Sequence, residues 1–364
     1  MSDSKPHIVI GGSIIGLAIG WHLLREGAEH VVIFEAGEAA RSGAAWVAAG
    51  MLSPRAEAGF EDMDIYEDGV KSLDLYPQFL DELREDVEEL VPKLDRSGAL
   101  VVATNGDEAR ELDRQFDFRK RANIPVERLS GEATREREPL LSTKVTSSLW
   151  LEQEAQINNR QLCLALKAAF VKLGGVLQEH CMVSEIVVKD HRAVAVRFGN
   201  ESMEAQSITI AAGAWSSKIG GITPIPVRPV KGQMIGLRMT PQSHLRQPIR
   251  GARVYLAPKD DGRLLVGATA EEAGFDQRII AGNIMELLHF AWEIVPATYE
   301  LEIEEMLAGF RPATRNHRPI IGKSEFENLY YATGHWRHGI LMAPLTSYEI
   351  CREILGLKQE KVGI

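Results

Sequence analysis

The sequence predicts an α/β fold in which a body built on a parallel sheet is interrupted by an inserted, β-rich α+β lobe. Two observations predict this fold. The first 35 residues alternate strand, glycine-rich turn, helix and strand, and residues 227–266 contain short apolar strands separated by turns. A chain of 364 residues is long enough for two domains or for one large interleaved body.

The N-terminal unit is the best-defined part of the pattern. Residues 8–10 form an apolar strand, 11–16 a glycine turn, 17–26 a helix with apolar Ile19, Leu23 and Leu24, and 31–34 a second apolar strand. Strand, turn, helix and strand in this order predict a parallel βαβ unit.

Periodicity and turn residues predict the remaining elements. Asp261-Gly262 is a favoured hairpin turn inside the strand-rich region. The predicted helices lie at 70–90, 107–121, 159–173 and 339–354, and the predicted strands at 99–103, 182–188, 193–198, 207–211 and 329–332.

The domains are predicted to be discontinuous, because no linker or low-complexity segment separates the two kinds of pattern. The nucleotide-binding body is assigned to residues 1–50, 150–225 and 305–364. The substrate-binding lobe is assigned to residues 51–149 and 226–304.

Composition excludes several classes of function. A net charge of −10 without a basic run argues against nucleic-acid binding. Cys163, Cys181 and Cys351 form no CxxC or Cys/His cluster, which argues against disulfides and a zinc site. The N-terminus is polar, and the apolar run at 8–21 is shorter than the roughly 20 residues of a membrane span. We therefore expect a cytoplasmic protein without an integral membrane segment.

The glycine turn carries the features of a dinucleotide site. Gly11 permits the tight turn and Gly16 the close packing of helix on sheet, while the helix N-terminus attracts a pyrophosphate. Glu35 follows Gly16 by 19 residues and is placed to bind an adenosine ribose, which disfavours NADP. Ser13 replaces the middle glycine of the pattern.

Two further glycine turns favour FAD over NAD as the cofactor. One, at residues 209–215, contains Gly213, and the other, at 333–339, precedes the last predicted helix. A long FAD is held at several remote turns, and a helix N-terminus stabilises negative charge that develops on a reduced flavin.

Six motifs in fixed order resemble the glycine oxidase branch of the D-amino-acid oxidase family. They are VIGGSIIG at 9–16, AAGML at 48–52, VRPVKGQ at 227–233, GRLLVGAT at 262–269, AGFRP at 308–312 and GHWRHGIL at 334–341. The resemblance covers nearly the whole chain. It implies a Rossmann-like FAD-binding domain with a discontinuous, β-rich substrate domain, and noncovalent FAD.

The same resemblance implies a reaction and its partners. A small amino acid is oxidised by hydride transfer to flavin N5, and dioxygen reoxidises the flavin to give hydrogen peroxide. The imino product is either hydrolysed to a keto acid and ammonia or passed to thiazole synthase in thiamine biosynthesis. Glycine is the expected substrate, with sarcosine and small D-amino acids as alternatives. The sequence does not determine whether the protein forms a homo-oligomer.

Matching positions predict the residues that contact the cofactor. They are Gly11, Ser13, Ile14, Ile15, Gly16, Glu35, Ala36, Ala44, Ala45, Ala49, Gly50, Met51, Val183, Gly213, His335, Trp336, Arg337, His338, Gly339, Ile340 and Leu341.

Three residues are predicted to bind and orient the substrate carboxylate. Arg311 ends an apolar strand, where its planar fork would bind a carboxylate, unless it forms a structural ion pair. Tyr255 would donate its hydroxyl to the same carboxylate, unless it is a core tyrosine. Arg337 lies in the glycine turn at residues 333–339, which is expected to contact the flavin. It would contact the cofactor or the substrate, unless it is a surface arginine. No metal is predicted, since His335 and His338 have no companion ligand nearby in sequence.

Two departures from the glycine oxidase pattern leave the substrate open. Ala44-Ala-Trp46 stands where relatives often carry Ser or Thr. Arg250 and Arg253 stand where Tyr and His are expected, and they either suit an acidic or larger substrate or face solvent.

Three other functions remain as alternatives. A flavin dehydrogenase of similar architecture would pass electrons to a quinone or another carrier. A sarcosine oxidase would attach its flavin covalently, but no cysteine lies in residues 311–322 or in the following loop. A flavoprotein that acts on or with a protein partner would use no free amino acid.

Overall fold

The computed structural model describes residues 4–59 and 63–357. Within these ranges the strands are β1 (His7–Ile10), β2 (Val31–Phe34), β3 (Met51–Leu52), β4 (Ala99–Ala103), β5 (Glu127–Ser130), β6 (Ser147–Leu151), β7 (Ala155–Gln156), β8 (Val176–Gln178), β9 (Val183–Lys189), β10 (Arg192–Phe198), β11 (Glu201–Glu204), β12 (Ser207–Ile210), β13 (Arg228–Arg238), β14 (Ile249–Arg250), β15 (Tyr255–Pro258), β16 (Arg263–Gly267), β17 (Glu302–Ala313), β18 (Ile320–Lys323) and β19 (Leu329–Thr333).

The helices of the same ranges alternate with these strands. They are α1 (Ile14–Arg25), α2 (Ala44–Val47), α3 (Pro54–Glu57), α4 (Met63–Val87), α5 (Gly106–Arg121), α6 (Gly131–Arg137), α7 (Asn159–Lys172), α8 (Ala281–Ile294) and α9 (Ala343–Leu355). Short 3-10 helices occur at Glu88–Leu90, Gly213–Lys218, Pro241–Ser243 and Pro296–Glu300.

The first sheet is the Rossmann-like one, with strand order β18-β19-β12-β1-β2-β8. Strand β1 pairs in parallel with β2 and β12, and only β18 is antiparallel. Successive residues of β1 point to opposite faces of the sheet and are buried in two different hydrophobic cores. Val9 packs with Trp21 and Leu166 on the face covered by helices. Ile8 packs with Ile186 of β9 on the opposite face. Both faces of this sheet are covered, and accordingly residues 8–10 of β1 and all of β2 are apolar.

The second sheet is largely antiparallel, with strand order β17-β13-β16-β15-β14-β4-β6-β5. One face packs on α8 through a core that includes Ile235, Leu256 and Leu287. The other face carries Met234 and Leu265, which pack with Ala49 from the N-terminal third of the chain. This second face therefore looks toward the Rossmann-like body.

The structure confirms the predicted α/β class and refines several boundaries. The hairpin at Asp261-Gly262 joins β15 to β16, and Gly262 has a φ of +85°. The last helix begins at Ala343 and not at residue 339, because residues 339–342 form turns and Pro344 occupies its first turn. The discontinuous domain division stays a prediction; β17 crosses its boundary at residue 305 and pairs with β13.

Candidate active site

One cavity of about 770 Å³ extends from the glycine turn after β1 to the inward face of the second sheet. Its nucleotide end is lined by Gly11, Ser13 and Glu35, and its substrate end by Tyr255 and Arg311. A volume of this size is typical of cofactor and ligand pockets. The predicted cofactor turn and the predicted substrate residues therefore share one cavity.

Two positions of the glycine turn, residues 11 and 16, have no space for any residue other than glycine. Gly11 has a φ of +112°, and a Cβ there would lie 2.4 Å from the carbonyl oxygen of Ala211. A Cβ on Gly16 would lie 1.8 Å from the carbonyl oxygen of Gly11. Ser13 makes no side-chain cap hydrogen bond, so the first N–H groups of α1 are left for an anion at the cavity wall.

Glu35 is held as an acceptor by two main-chain donors. The N–H of Gly12 donates to its Oε2 at 2.7 Å and the N–H of Gly37 to its Oε1 at 2.9 Å. A carboxylate fixed in this way at the end of β2 suits the hydroxyls of an adenosine ribose. The residues present at this end of the cavity therefore fit FAD.

Most of the predicted cofactor residues line this cavity. Those that do so are Gly11, Ser13, Ile14, Ile15, Glu35, Ala36, Ala44, Ala45, Ala49, Gly50, Met51, Val183, Gly213, His335, Trp336, Arg337, Gly339 and Ile340. Three do not line it: Gly16 packs behind the turn, while His338 and Leu341 line a neighbouring cavity of about 540 Å³.

The strand register places the substrate residues on one face of the second sheet. Arg250 of β14 lies opposite Tyr255 of β15, Tyr255 lies opposite Gly267 of β16, and Gly267 lies opposite Met234 of β13. Directly opposed residues of antiparallel strands point to the same face. Arg250, Tyr255 and Met234 therefore form a row across four strands.

Glycines under this row make room for the functional side chains. A Cβ on Gly267 would lie 2.6 Å from the hydroxyl of Tyr255, and one on Gly232 would lie 2.5 Å from Nη1 of Arg311. Gly309, opposite Gly232, leaves space for Val47 in the same way. These three glycines were not among the residues predicted for the site, although glycine inside a strand often marks a close approach.

Arg311 is half-buried at the end of the cavity and keeps an arginine's charge. Its Nη1 donates to the carbonyl oxygen of Thr269 at 2.9 Å, and its Cζ lies 5.9 Å from the ring centroid of Trp336. Burial lowers the pKa of Arg311, and nearby Tyr255 partly opposes this. An arginine remains protonated despite such a shift.

Tyr255 is protonated and available as a donor. Burial raises the pKa of its hydroxyl, against the opposing effect of Arg311 and Arg250. In the structure the hydroxyl donates weakly to Sδ of Met234, at 3.4 Å.

Arg337 lies at the boundary of both cavities. Its Cζ is 5.3 Å from the ring centroid of Trp336, which in turn stacks on His317 at 4.7 Å. His335, two residues earlier, is buried and lies 3.0 Å from Thr346 through Nε2. Burial lowers the pKa of His335 to about 3, so the ring is neutral.

An ion pair at the substrate end was not anticipated. Nη1 of Arg250 donates to Oε1 of Glu57 at 2.7 Å, and Nε2 of His338 lies 3.5 Å from Oε2 of Glu57. Burial would raise the pKa of Glu57, but Arg250, His338 and Arg337 outweigh it and lower the pKa to about 2. Glu57 sits in the four-residue helix α3, which is too short to leave a periodic signal.

Neither a metal centre nor a membrane span is recognised in the residues that the structure describes. No group of three or more His, Cys, Asp or Glu residues among them is arranged around a common point. None of their helices combines the length and apolar character that crossing a bilayer requires.

A Rossmann-like turn at one end of a cavity and an arginine-lined pocket at the other indicate an enzyme that uses a dinucleotide cofactor beside an anionic ligand. The chain belongs to the FAD dependent oxidoreductase family, whose sequence pattern matches residues 7–352. This family membership confirms the family that the resemblance implied.

Similar proteins include glycine oxidases, which match over about nine tenths or more of both chains. The glycine oxidase of Geobacillus kaustophilus is 33% identical over 344 residues, which are 93% of this chain and 89% of the relative. A crystal structure of glycine oxidase from that organism aligns with a TM-score of 0.90 at 30% identity, over 98% of this chain and 96% of the other.

Two further similar proteins are a longer bifunctional protein and an oxidase named for a different substrate. The bifunctional protein ThiO/ThiG of a Nostoc species is 34% identical over 98% of this chain and 54% of the relative, so this chain spans about half of that protein. The crystal structure of iminodiacetate oxidase from a Chelativorans species aligns with a TM-score of 0.86 at 26% identity, over 99% of this chain and 97% of the other.

Proposed function

We propose that this enzyme oxidises the carbon–nitrogen bond of a small amine-bearing acid, with glycine, sarcosine and small D-amino acids as candidates. Dioxygen and water are consumed, and a keto acid, ammonia or a primary amine, and hydrogen peroxide are formed. The observation that carries the proposal is the guanidinium of Arg311 beside Tyr255, in a cavity continuous with the dinucleotide turn. The names of the similar glycine oxidases support it.

The side chains supply binding and orientation. Arg311 and the hydroxyl of Tyr255 hold the substrate carboxylate by charge-assisted hydrogen bonds, which fix the direction of the α-carbon. Bound FAD supplies the acceptor for the α-hydrogen and its electron pair. Glu57 is a poor candidate for a general base, because its pKa of about 2 keeps it ionised and weakly basic.

A substrate panel tests this proposal. FAD-loaded enzyme is assayed for peroxide and oxygen uptake with glycine, sarcosine, D-alanine, D-proline, D-aspartate and the L-amino acids. We expect turnover of at least one small amine-bearing acid. No turnover with any of them, under air or with an artificial electron acceptor, would reject the proposal in favour of a flavoprotein that acts with a protein partner.

The electron acceptor is the second question. We propose an oxidase, and the rival dehydrogenase would reduce an artificial quinone while releasing no peroxide under air. Acid precipitation tests the noncovalent attachment of FAD, since a noncovalent flavin stays in the supernatant. A yellow pellet would contradict it.

A link to thiamine biosynthesis is proposed from the bifunctional relatives, which carry ThiO and ThiG in one name. The imino product would then be consumed by a thiazole synthase in the cytoplasm. Thiazole formation from glycine in a reconstituted mixture should require this enzyme. If the thiazole forms from glycine equally well without this enzyme, the proposed link to thiamine biosynthesis is wrong.

A further inference from the structure

Strand β13 carries two fully buried polar side chains that point away from the cavity. Lys231 and Gln233 are both 0% exposed. They alternate along the strand with Gly232 and Met234, which line the cavity, so they point to the opposite face of the sheet, the face covered by α8. Burying an ammonium or an amide is costly unless it is hydrogen-bonded, so their partners indicate what these side chains hold in place.

The amide of Gln233 binds both ends of the connection between β16 and α8, residues 268–280. Its Nε2 donates to Oε1 of Glu271 at 2.8 Å, and its Oε1 accepts the N–H of Ile280 at 2.7 Å. Gln277, between these two points, lines the cavity. One buried side chain therefore ties a segment of the cavity wall to β13.

Lys231 adds a second attachment of the same connection. Its Nζ donates to the carbonyl oxygen of Arg278 at 2.6 Å, and its main chain exchanges two hydrogen bonds of 2.9 Å with that of Glu271. Burial would raise the pKa of Glu271, but hydrogen bonds from Thr269 and Gln233 outweigh it and the pKa is lowered. Glu271 therefore accepts these hydrogen bonds as a carboxylate.

The connection fixed in this way presents a main-chain acceptor to Arg311. The hydroxyl of Thr269 accepts the N–H of Gln233 at 2.9 Å and donates to Oε1 of Glu271. The carbonyl oxygen of Thr269 accepts Nη1 of Arg311 at 2.9 Å. One end of the guanidinium is thus bonded to a residue whose own position is set from the far side of the sheet.

We propose that Gln233 is a positioning residue for Arg311. Together with Glu271 and Lys231, it holds Thr269 so that the carbonyl oxygen sets the direction in which the arginine fork faces the substrate. Gln233 does not line the cavity, so it acts through Arg311 and not by contact with the substrate. The inference rests on the proposed function, in which Arg311 binds the substrate carboxylate.

Gln233→Met tests this role, because methionine keeps the approximate size of the side chain but makes neither hydrogen bond. We expect KM for the accepted amine-bearing acid to rise about threefold or more with kcat within about twofold, since saturating substrate can realign the fork. Kd for FAD should stay within about twofold. Gln247→Met is the matched control, since Gln247 is also buried in this lobe and its Nε2 lies 3.4 Å from Oε2 of Glu138, away from the cavity.

A double-mutant cycle shows whether the effect passes through Arg311. We would measure kcat/KM of folded, FAD-loaded wild type, Gln233→Met, Arg311→Met and the double variant. Gln233→Met should lower kcat/KM about threefold or more in the wild-type background but less than about 1.5-fold in the Arg311→Met background. Thr269→Val, which removes the hydroxyl and keeps the carbonyl, should give the same pattern, and it decides the matter if Gln233→Met does not fold.

Two results would overturn the inference and leave the proposed function intact. One is an equal loss of kcat/KM from Gln233→Met in both backgrounds, which indicates a general loosening of the sheet. The other is kinetics in Gln233→Met that match those of Gln247→Met. If Arg311→Met itself has wild-type kcat/KM, or if no amine-bearing acid is turned over, the proposed function fails and the inference fails with it.

Discussion

The guanidinium of Arg311 lies against the main chain of Gly232 on the neighbouring strand. An added Cβ at residue 232 would lie 2.5 to 2.7 Å from Nη1, Cζ and Nη2 of Arg311. Contacts that short do not occur in real structures, so either the arginine or the strand would have to move. The position of Arg311, the proposed carboxylate anchor, therefore depends on residue 232 being a glycine.

Gly232→Ala should displace Arg311 without disturbing the nucleotide end of the cavity. We expect KM for the accepted amino acid to rise about tenfold or more, because a displaced fork loses one of its charge-assisted hydrogen bonds. Steady-state kinetics with saturating FAD measures the change. Gly282→Ala on helix α8 is the matched control, since nothing lies within 4 Å of its added Cβ. Equal kinetics in the two variants would contradict the proposed role of Arg311.

Arg311→Lys should separate charge from geometry at the same position. Lysine keeps the positive charge but lacks the planar fork, so we expect kcat/KM to fall at least about tenfold, mainly through KM. The visible absorbance of bound flavin should persist. Arg315→Lys, an exposed position four residues along the chain, serves as control. Wild-type kinetics in Arg311→Lys would show that bidentate binding is unnecessary.

Glu35→Gln should weaken cofactor binding. The amide keeps one acceptor oxygen, but its NH2 group would face one of the N–H donors of Gly12 and Gly37. We expect Kd for FAD to rise about tenfold or more, as measured by flavin fluorescence during titration of the apoprotein. Glu38→Gln, at an exposed position three residues away, should bind FAD as wild type does. An unchanged Kd in Glu35→Gln would remove Glu35 from the cofactor site.

A buried carboxylate next to strand β3 makes the stability of the protein depend on pH. Oε1 of Glu154 accepts the N–H of Arg55 at 2.9 Å, while its Oε2 has no hydrogen-bond partner among the described residues. Burial raises the pKa of Glu154 from 4.5 to about 7, despite the opposing charge of Arg55. The unfolded chain therefore releases this proton at lower pH than the folded protein does.

Glu154→Gln should remove that dependence. Between pH 4.5 and about 7 the folded wild type binds one more proton than the unfolded chain, so its stability falls as pH rises, by about 3 kcal/mol in total. The variant should therefore gain stability relative to wild type across this window, as seen in thermal midpoints at several pH values with saturating FAD. Glu152→Gln, an exposed neighbour, is the control. A difference in midpoint that stays constant with pH would contradict the ionisation of Glu154.

Elements with local signals could be predicted from the sequence. Strands β1 and β2 are apolar runs bounded by turn residues, and Gly11 and Glu35 have a fixed spacing around α1. Arg311 was predicted through the motif at residues 308–312 and Tyr255 through its place on a strand, and the structure brings both to one cavity.

Features that depend on register could not be predicted in this way. Gly232, Gly267 and Gly309 matter because each lies beneath a side chain that comes from another part of the chain. Only the folded arrangement of strands, and of helix α2 for Gly309, determines which side chain that is. Glu57 acquires its partner Arg250 from a residue 193 positions away. His338 was assigned to the cofactor because its neighbours were, yet the turn at residues 336–338 directs it to the second cavity.

The short connection between β14 and β15 is structurally separate from the elements that carry Arg311 and the cofactor turn. Arg250 ends the two-residue strand β14 and Arg253 lies on the turn after it, whereas Arg311 belongs to the twelve-residue strand β17 and the FAD cradle belongs to the other sheet. Exchanges on the turn leave those long pairings untouched. Substitutions in this one connection can therefore change the wall of the cavity while the cofactor end and Arg311 keep their positions.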